Sequence, residues 1–258
     1  MSGSGFGIDL TGKIALVTGG TRGIGLSASR FFARAGAAVA MVYRSRKEEA
    51  KAALAQVSTG GARARAIRAD ISREKDCERA VRETIRSLGG LHFLVNNAGI
   101  WPGGNVEDIP VGEWDEAFAV NMRGTFLATK LAVPVFKKQG FGRIVNVSST
   151  AGQRGEAGHS HYAATKGAVI SFTKSLATEL GPSGITVNAV APGWVDTEMS
   201  ASELSRGKRR REIEEGIPTR RVSTADDIGA AIVFLCSEYA RNINGEILNI
   251  NGGSVLAG

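Results

Sequence analysis

Short apolar runs rich in β-branched residues alternate with longer helical patterns along the whole chain, and no other property restricts its fold as tightly. Ile14–Thr18 reads as a buried strand, followed by a helix over Gly25–Ala35 that ends at Gly36. Strands are expected at Ala38–Tyr43, Ala64–Ala69, His92–Asn96, Arg143–Val147, Ile185–Val190 and Ile247–Ile250. Helices are expected at Arg46–Val57, Arg73–Leu88, Val111–Lys138, Tyr162–Leu180 and Ala225–Cys236. Strands alternating with helices of 10–20 residues mean repeated βαβ units. The predicted fold class is therefore α/β, a doubly wound parallel sheet of about seven strands with helices on both faces. No linker or internal repeat breaks the pattern, so residues 9–258 are expected to form a single domain after a flexible N-terminus, 1–8. The one long stretch without a regular pattern, 193–224, is expected to be a lid.

Composition adds boundaries. The chain has 258 residues, 43% hydrophobic and 22% charged, which suits a globular core and argues against disorder. Glycine is the outlier at 34 residues, and no G-X-Y period accounts for it. The formal charge of +7 permits an acidic partner without naming one. The start of the chain lacks a basic region followed by an apolar stretch, and no segment nears the ~20 apolar residues that cross a bilayer, so a cytoplasmic protein is expected. Cys77 lies in a charged helical pattern and reads as a surface thiol; Cys236, in an apolar run, reads as a core thiol. No Cys/His pair has metal-ligand spacing, so no metal is expected.

The glycines concentrate first after the opening strand, in Thr18-Gly19-Gly20-Thr21-Arg22-Gly23-Ile24-Gly25. A glycine-rich turn from a strand into a helix lets backbone N–H groups and the helix N-terminus meet a pyrophosphate. NAD sites usually carry an acid about 20 residues further on, for the ribose 2′-OH. Residues 26–47 contain none, and the second strand ends Tyr43-Arg44-Ser45-Arg46-Lys47. Guanidinium groups at Arg22 and Arg44 suit a 2′-phosphate, so NADP(H) is expected in preference to NAD(H). Arg46 and Lys47 are expected only to solvate a helix start.

The second dense region runs from Ser148-Ser149 to Tyr162-Ala163-Ala164-Thr165-Lys166. Tyr162 and Lys166 stand i, i+4 on a predicted helix and share a face. An ammonium nearby favours phenolate and would bring the tyrosine down toward neutrality as an acid–base. A second Y-x-x-x-K, Tyr43 to Lys47, fits cofactor recognition better than catalysis. The serine thirteen residues upstream and the sheet-end placement single out Tyr162.

These motifs, with Ala69-Asp70-Ile71, Asn96-Asn97-Ala98-Gly99, Val120-Asn121 and Pro192-Gly193-Trp194-Val195-Asp196-Thr197, resemble those of the classical short-chain dehydrogenase/reductases from about residue 9 onward. The resemblance implies a Rossmann-type single domain. It makes Tyr162 the proton donor or acceptor, Lys166 the ligand of the nicotinamide ribose and Ser149 the holder of the carbonyl oxygen. Asn121 would anchor a relay water, Asp70 would meet the adenine and Asn97 the adjoining ribose. Val195 and Thr197 would meet the nicotinamide amide. Gly19, Thr21, Gly23, Ile24, Gly25, Tyr43, Ile71, Ala98, Gly99, Pro192 and Gly193 complete the implied cofactor contacts. Local alternatives are an Asx turn at Asp70, a cap or kink of its helix at Asn121, a capping role for Thr197, and Ser148 in place of Ser149.

Within the family the chain is most similar to 3-oxoacyl-[acyl-carrier-protein] reductases and the related glucose 1-dehydrogenases. The implied reaction is reduction of a ketone or 3-oxoacyl thioester to a secondary alcohol. The alternatives are a sugar or other secondary-alcohol dehydrogenase, an epimerase or dehydratase on the same fold, and a non-catalytic dinucleotide sensor. Gly140 and Ser183 stand where the carrier-protein reductases commonly present docking arginines, so acyl carrier protein is the weaker partner. Lid cations Lys208-Arg209-Arg210-Arg211 and Arg220-Arg221 could steer an acidic substrate, but the glutamates among them point to a solvated helix face. Nucleic acid is not an expected partner; a homotetramer is implied by the resemblance. Substrate-pocket candidates are Trp101, Gln153, Glu156, His159, His161 and Trp194, with His161 expected as a neutral wall.

Overall fold

The computed structural model describes residues 7–257. Seven strands form one parallel sheet in the order β3-β2-β1-β4-β5-β6-β9. They are β1 (Ile14–Thr18), β2 (Ala38–Tyr43), β3 (Ala64–Arg68), β4 (Phe93–Asn96), β5 (Gly142–Val147), β6 (Ile185–Pro192) and β9 (Ile247–Ile250). A small parallel ribbon, β7 (Val195–Asp196) with β8 (Ser223–Thr224), lies outside the sheet.

Side-chain alternation along each strand divides the core in two. Ile14 and Leu16 of β1 point to one face, where α3 (Glu74–Leu88), α5 (Gly124–Gln139) and α7 (Ser160–Leu180) supply Ala80, Leu127 and Leu176. Ala15 and Val17 point to the other, against Ala28 and Phe32 of α1 (Gly23–Arg34), Val57 of α2 (Lys47–Val57) and Ile228 and Ile232 of α10 (Ala225–Cys236). A sheet covered on both sides explains why β1, β2 and β4 read as nearly continuous apolar runs. Burying each large side chain, Phe32 for example, contributes about 1.5–3 kcal/mol. Chain order reverses between β1 and β4, and a crevice opens at that switch point, beyond the carboxyl ends of the strands.

Four expectations change. The single helix over 111–138 is two helices, α4 (Val111–Phe118) and α5, joined by a π-helical turn at Ala119–Arg123. Asn121 sits in that turn, its side chain bonded to the backbone of Ile100 and the hydroxyl of Thr165. The patternless stretch 193–224 contains α8 (Ala201–Leu204) and α9 (Gly207–Gly216) between β7 and β8. Its helices escape a periodicity search because Ile213 is the one buried residue of α9, packed with Leu204, Ile217, Val222 and Trp194 in a small core of its own. Cys77 is buried, not at the surface, because it faces inward on α3 and its thiol bonds to the Ile71 carbonyl. A short helix, α6 (Thr150–Arg154), follows β5 unpredicted.

Of the N-terminal segment, residues 1–6 lie outside the described residues. Gly7 accepts a hydrogen bond from the Tyr239 hydroxyl, and Ile8 packs against the core, so the ordered domain begins before residue 9. Among the described residues no helix is long and apolar enough to cross a membrane.

Candidate active site

A cavity of about 760 Å³ occupies the crevice, and it gathers residues from the ends of β1, β2, β3, β4, β5 and β6 and from the lid. One end is built from backbone. Gly19 (φ +62°) and Gly23 (φ +49°) take left-handed conformations that only glycine adopts at little cost. The residue before α1, Arg22, offers no side-chain cap, so the first N–H groups of the helix are left for an anion. Gly19, Thr21, Arg22, Gly23 and Ile24 all line this end. Gly25 does not; a Cβ there would stand 2.2 Å from the Gly19 carbonyl oxygen, so its smallness lets the helix close onto the turn. This cradle fits the pyrophosphate of a dinucleotide.

Tyr43, Arg44, Asp70 and Ile71 line the outer part of the same end. Arg46 is tied to Glu49 at 2.9 Å, and both residues line this end of the cavity, so Arg46 is more than the solvated helix start expected of it. Arg44 stands 3.8 Å from Glu116, both more than half exposed, a contact worth little. Arg22 has no ion-pair partner among the described residues. Asp70 forms the Asx turn that was its alternative reading, accepting from the N–H and hydroxyl of Ser72, yet it still borders the cavity. Asn97 donates to the carbonyls of Thr18 and Gly19 and so braces the glycine turn from β4. Thr18, which sequence reasoning did not single out, receives the N–H groups of Asn97 and Ala98 on its hydroxyl. Ala98, Gly99, Pro192, Gly193, Val195 and Thr197 form the middle of the wall. A Cβ at Gly99 would come within 3.1 Å of the Asn121 side chain, and one at Gly193 within 2.9 Å of Asn251.

Ser149, Tyr162 and Lys166 meet at the inner end. Ser149 caps α6, its hydroxyl accepting the Ala151 N–H at 3.1 Å, and it faces Tyr162 closely enough to favour the phenolate. Ser148 is committed elsewhere, donating to the Lys166 carbonyl at 2.9 Å, which separates the two serines. Lys166 Nζ donates to the Val147 carbonyl at 2.8 Å and lies 5.7 Å from the centre of the Tyr162 ring. Asn121 stands behind this group and not on the cavity wall, with both ends of its amide hydrogen-bonded.

The electrostatics correct one expectation. Burial pushes the Tyr162 phenol up to about 12, opposed by the Ser149 hydroxyl and reinforced by the charge of Glu156. Burial also brings Lys166 down to about 8. Desolvation at this depth outweighs any lowering of Tyr162 by its neighbouring ammonium. At neutral pH Tyr162 is a phenol, a proton donor.

The pocket candidates divide. Trp101, Glu156 and Trp194 line the cavity; Gln153, His159 and His161 do not. Gln153 donates to Asn249, and His159 stacks behind Trp101. His161 is no pocket wall: as the neighbour of Tyr162 on a helix it points the other way, fully buried, with Nε2 3.2 Å from Glu113. The lid adds Met199, Glu212, Ile213 and Ile217, which its irregular sequence concealed. Half of the six lid cations in the runs Lys208–Arg211 and Arg220–Arg221 are paired: Arg210 with Asp196 and Glu214, Arg209 with Glu203 and Glu212, and Arg221 with Asp227. Among the described residues no group of His, Cys, Asp and Glu could hold a metal ion.

Residues 19–254 match a family model described as Enoyl-(Acyl carrier protein) reductase. The chain is 38% identical to the 3-oxoacyl-[acyl-carrier-protein] reductase FabG of Aquifex aeolicus, covering 95% of this chain and 98% of that protein. It is also 38% identical to the D-beta-hydroxybutyrate dehydrogenase of Cupriavidus necator, over 95% and 99%. A crystal structure of a putative short-chain alcohol dehydrogenase from Sinorhizobium meliloti 1021 superposes with a TM-score of 0.91 at 36% identity, covering 96% and 98% of the two chains. With an unbroken match of fold, length and glycine-rich cradle, the chain belongs to the short-chain dehydrogenase/reductase family of oxidoreductases, which act on CH–OH and C=O groups with a nicotinamide dinucleotide.

Proposed function

We propose that the protein is an NADP(H)-dependent reductase that converts a ketone or 3-oxoacyl thioester to a secondary alcohol. The observation that carries this reading is one cavity with Ser149, Tyr162 and Lys166 at its inner end and Arg22 and Arg44 at its outer end. A nicotinamide held by these residues would supply the hydride for the carbonyl carbon. Ser149 holds the carbonyl oxygen, and Tyr162 gives that oxygen its phenolic proton, which solvent then restores. Lys166 holds the nicotinamide ribose, while Asn121 fixes the loop at Ile100 and the helix at Thr165 on either side of the reaction. Arg22 and Arg44 pair with the 2′-phosphate by charge-assisted hydrogen bonds. The remaining cofactor-lining residues act by shape and backbone contact.

A second reading, dehydrogenation of a hydroxylated secondary alcohol such as a sugar, draws support from Glu156 and Trp101 on the substrate wall. Acyl carrier protein is the weaker partner, since Gly140 and Ser183 offer it no cation and Arg209, Arg210 and Arg221 of the lid are paired within the chain. The family resemblance carries a homo-oligomer, a tetramer, as the working state. The test is a paired assay: oxidation of NADPH and NADH with a 3-oxoacyl thioester, and reduction of NADP⁺ and NAD⁺ with aldoses and simple secondary alcohols. Turnover of the thioester with NADPH at a higher kcat/KM than any other pairing is expected; faster turnover of aldoses favours the second reading.

A further inference from the structure

The substrate half of the cavity has a carboxylate in its wall, and that carboxylate is held in place. Glu156, half-buried on the loop between α6 and α7, accepts a hydrogen bond on Oε2 from the indole Nε1–H of Trp101 at 3.2 Å. Trp101 is fixed in turn. Its ring stacks on His159 with centroids 4.5 Å apart and planes 13° from parallel, and it meets Trp194 edge to face at 5.7 Å and 87°. His159 Nδ1 lies 2.8 Å from the Pro102 carbonyl, which requires the tautomer with its hydrogen on that nitrogen. The Gly104 N–H donates to Gly158 at 2.7 Å, closing the two loops onto each other.

An ionised carboxylate has about four acceptor positions and the indole takes one, so Glu156 keeps acceptor capacity toward the cavity it lines. Its charge also reaches the reacting group, since it opposes ionisation of Tyr162. Arg154 also lines the cavity, but it is exposed at the rim and has no such effect on the phenol. Glu156 therefore adds a negative charge on the substrate side of Tyr162, opposite in sign to the ammonium of Lys166. A substrate carboxylate or phosphate next to the reacting carbon would meet a like charge in a partly desolvated space. A hydroxyl there would satisfy a built-in acceptor, against apolar surface from Trp101 and Trp194.

We propose that Glu156, aimed by Trp101, determines substrate specificity: it selects uncharged carbonyl compounds with a hydroxyl beside the reacting carbon and rejects oxo acids. This rests on the reductase reading above and ranks its ketone substrates; a 3-oxoacyl thioester, uncharged beside the reacting carbon, stays among the compounds accepted. It also sets the chain apart from the hydroxybutyrate dehydrogenase it is similar to, whose named substrate is an acid.

Three phenyl ketones of closely similar size test it with NADPH: 2-hydroxyacetophenone, propiophenone and phenylglyoxylate. For the unaltered enzyme kcat/KM is expected to fall in that order, by about tenfold at each step, the scale of one hydrogen bond to a charged group. In Glu156→Gln the ratio of phenylglyoxylate to propiophenone is expected to rise about tenfold, and the preference for the hydroxy ketone to shrink. Trp101→Phe, which keeps an aromatic ring over His159 but loses the N–H, is expected to shrink the hydroxyl preference alone. Turnover with ratios that neither substitution moves overturns the inference and leaves the reductase reading standing. No turnover of any of the three, with NADPH binding intact, overturns the inference, and the reductase reading falls with it only where the 3-oxoacyl thioester is not turned over either.

Discussion

The dinucleotide half of the cavity is made mostly of backbone and the carbonyl half mostly of side chains. Around the pyrophosphate cradle the contacts are N–H groups, carbonyls and glycines held by Thr18 and Asn97, with a helix start behind them that tolerates no added atom at Gly25. Around Tyr162 the wall is Ser149, Glu156, Trp101, Trp194 and the lid residues Ile213 and Ile217, drawn from loops and short helices. Backbone contacts recognise what all dinucleotides share, whereas side chains can be exchanged without disturbing the sheet. The same fold therefore keeps one cofactor class while its substrates diverge.

The sharpest way to break this division is at the proton donor. Tyr162→Phe is expected to lower kcat for ketone reduction by about 10³-fold, within the usual range for a general acid, while the dissociation constant for NADPH changes little. Fluorescence titration of NADPH beside the steady-state assay separates the two. Retained turnover would remove Tyr162 from the chemistry. Because burial keeps the phenol protonated up to about 12, reduction at saturating NADPH should be level through neutral pH. Alcohol oxidation needs the phenolate and should rise with pH, by up to about tenfold per unit below the pKa. An oxidation rate that is level from neutral to moderately alkaline pH would show that Tyr162 is not the base.

Gly25→Ala attacks the backbone half. The new Cβ would lie 2.2 Å from the Gly19 carbonyl oxygen, so the helix must move. Overpacking of this kind costs about 1–3 kcal/mol. A lower Tm and weaker binding of NADPH and NADH alike are expected in a thermal melt and a titration. Unchanged binding would mean the turn is not the cradle.

Arg44→Asp tests the one part of that half where a side chain makes the choice. NADPH affinity is expected to fall about tenfold or more relative to NADH, the loss of a charge-assisted contact. Equal loss for both cofactors would end the 2′-phosphate assignment. The smallest effect is expected at the lid, where Arg210 joins α9 to Asp196 at 2.9 Å in a partly exposed pair. Arg210→Ala should raise the KM for the carbonyl substrate by a factor of about two to five, consistent with a pair worth up to about 1 kcal/mol, with little change for NADPH.

The parallel sheet, its seven strands and the glycine cradle were legible in the sequence because each depends on a local signal. Buried parallel strands are short apolar runs, and a tight turn under a helix N-terminus needs glycine whatever surrounds it. Ser149, Tyr162 and Lys166 were legible for a related reason: two share a helix face and the third ends a strand. Tertiary structure decided the rest. A helical pattern through 111–138 could not reveal the π turn at Asn121, which stands on bonds to Ile100 and Thr165 from distant parts of the chain. Nor could the residues around Tyr162 show that burial, more than the ammonium of Lys166, sets its acidity. His161 and Glu156 looked equally placed in sequence. The turn of one helix sent the first into the core beside Glu113, and the closure of two loops set the second against Trp101 in the substrate wall.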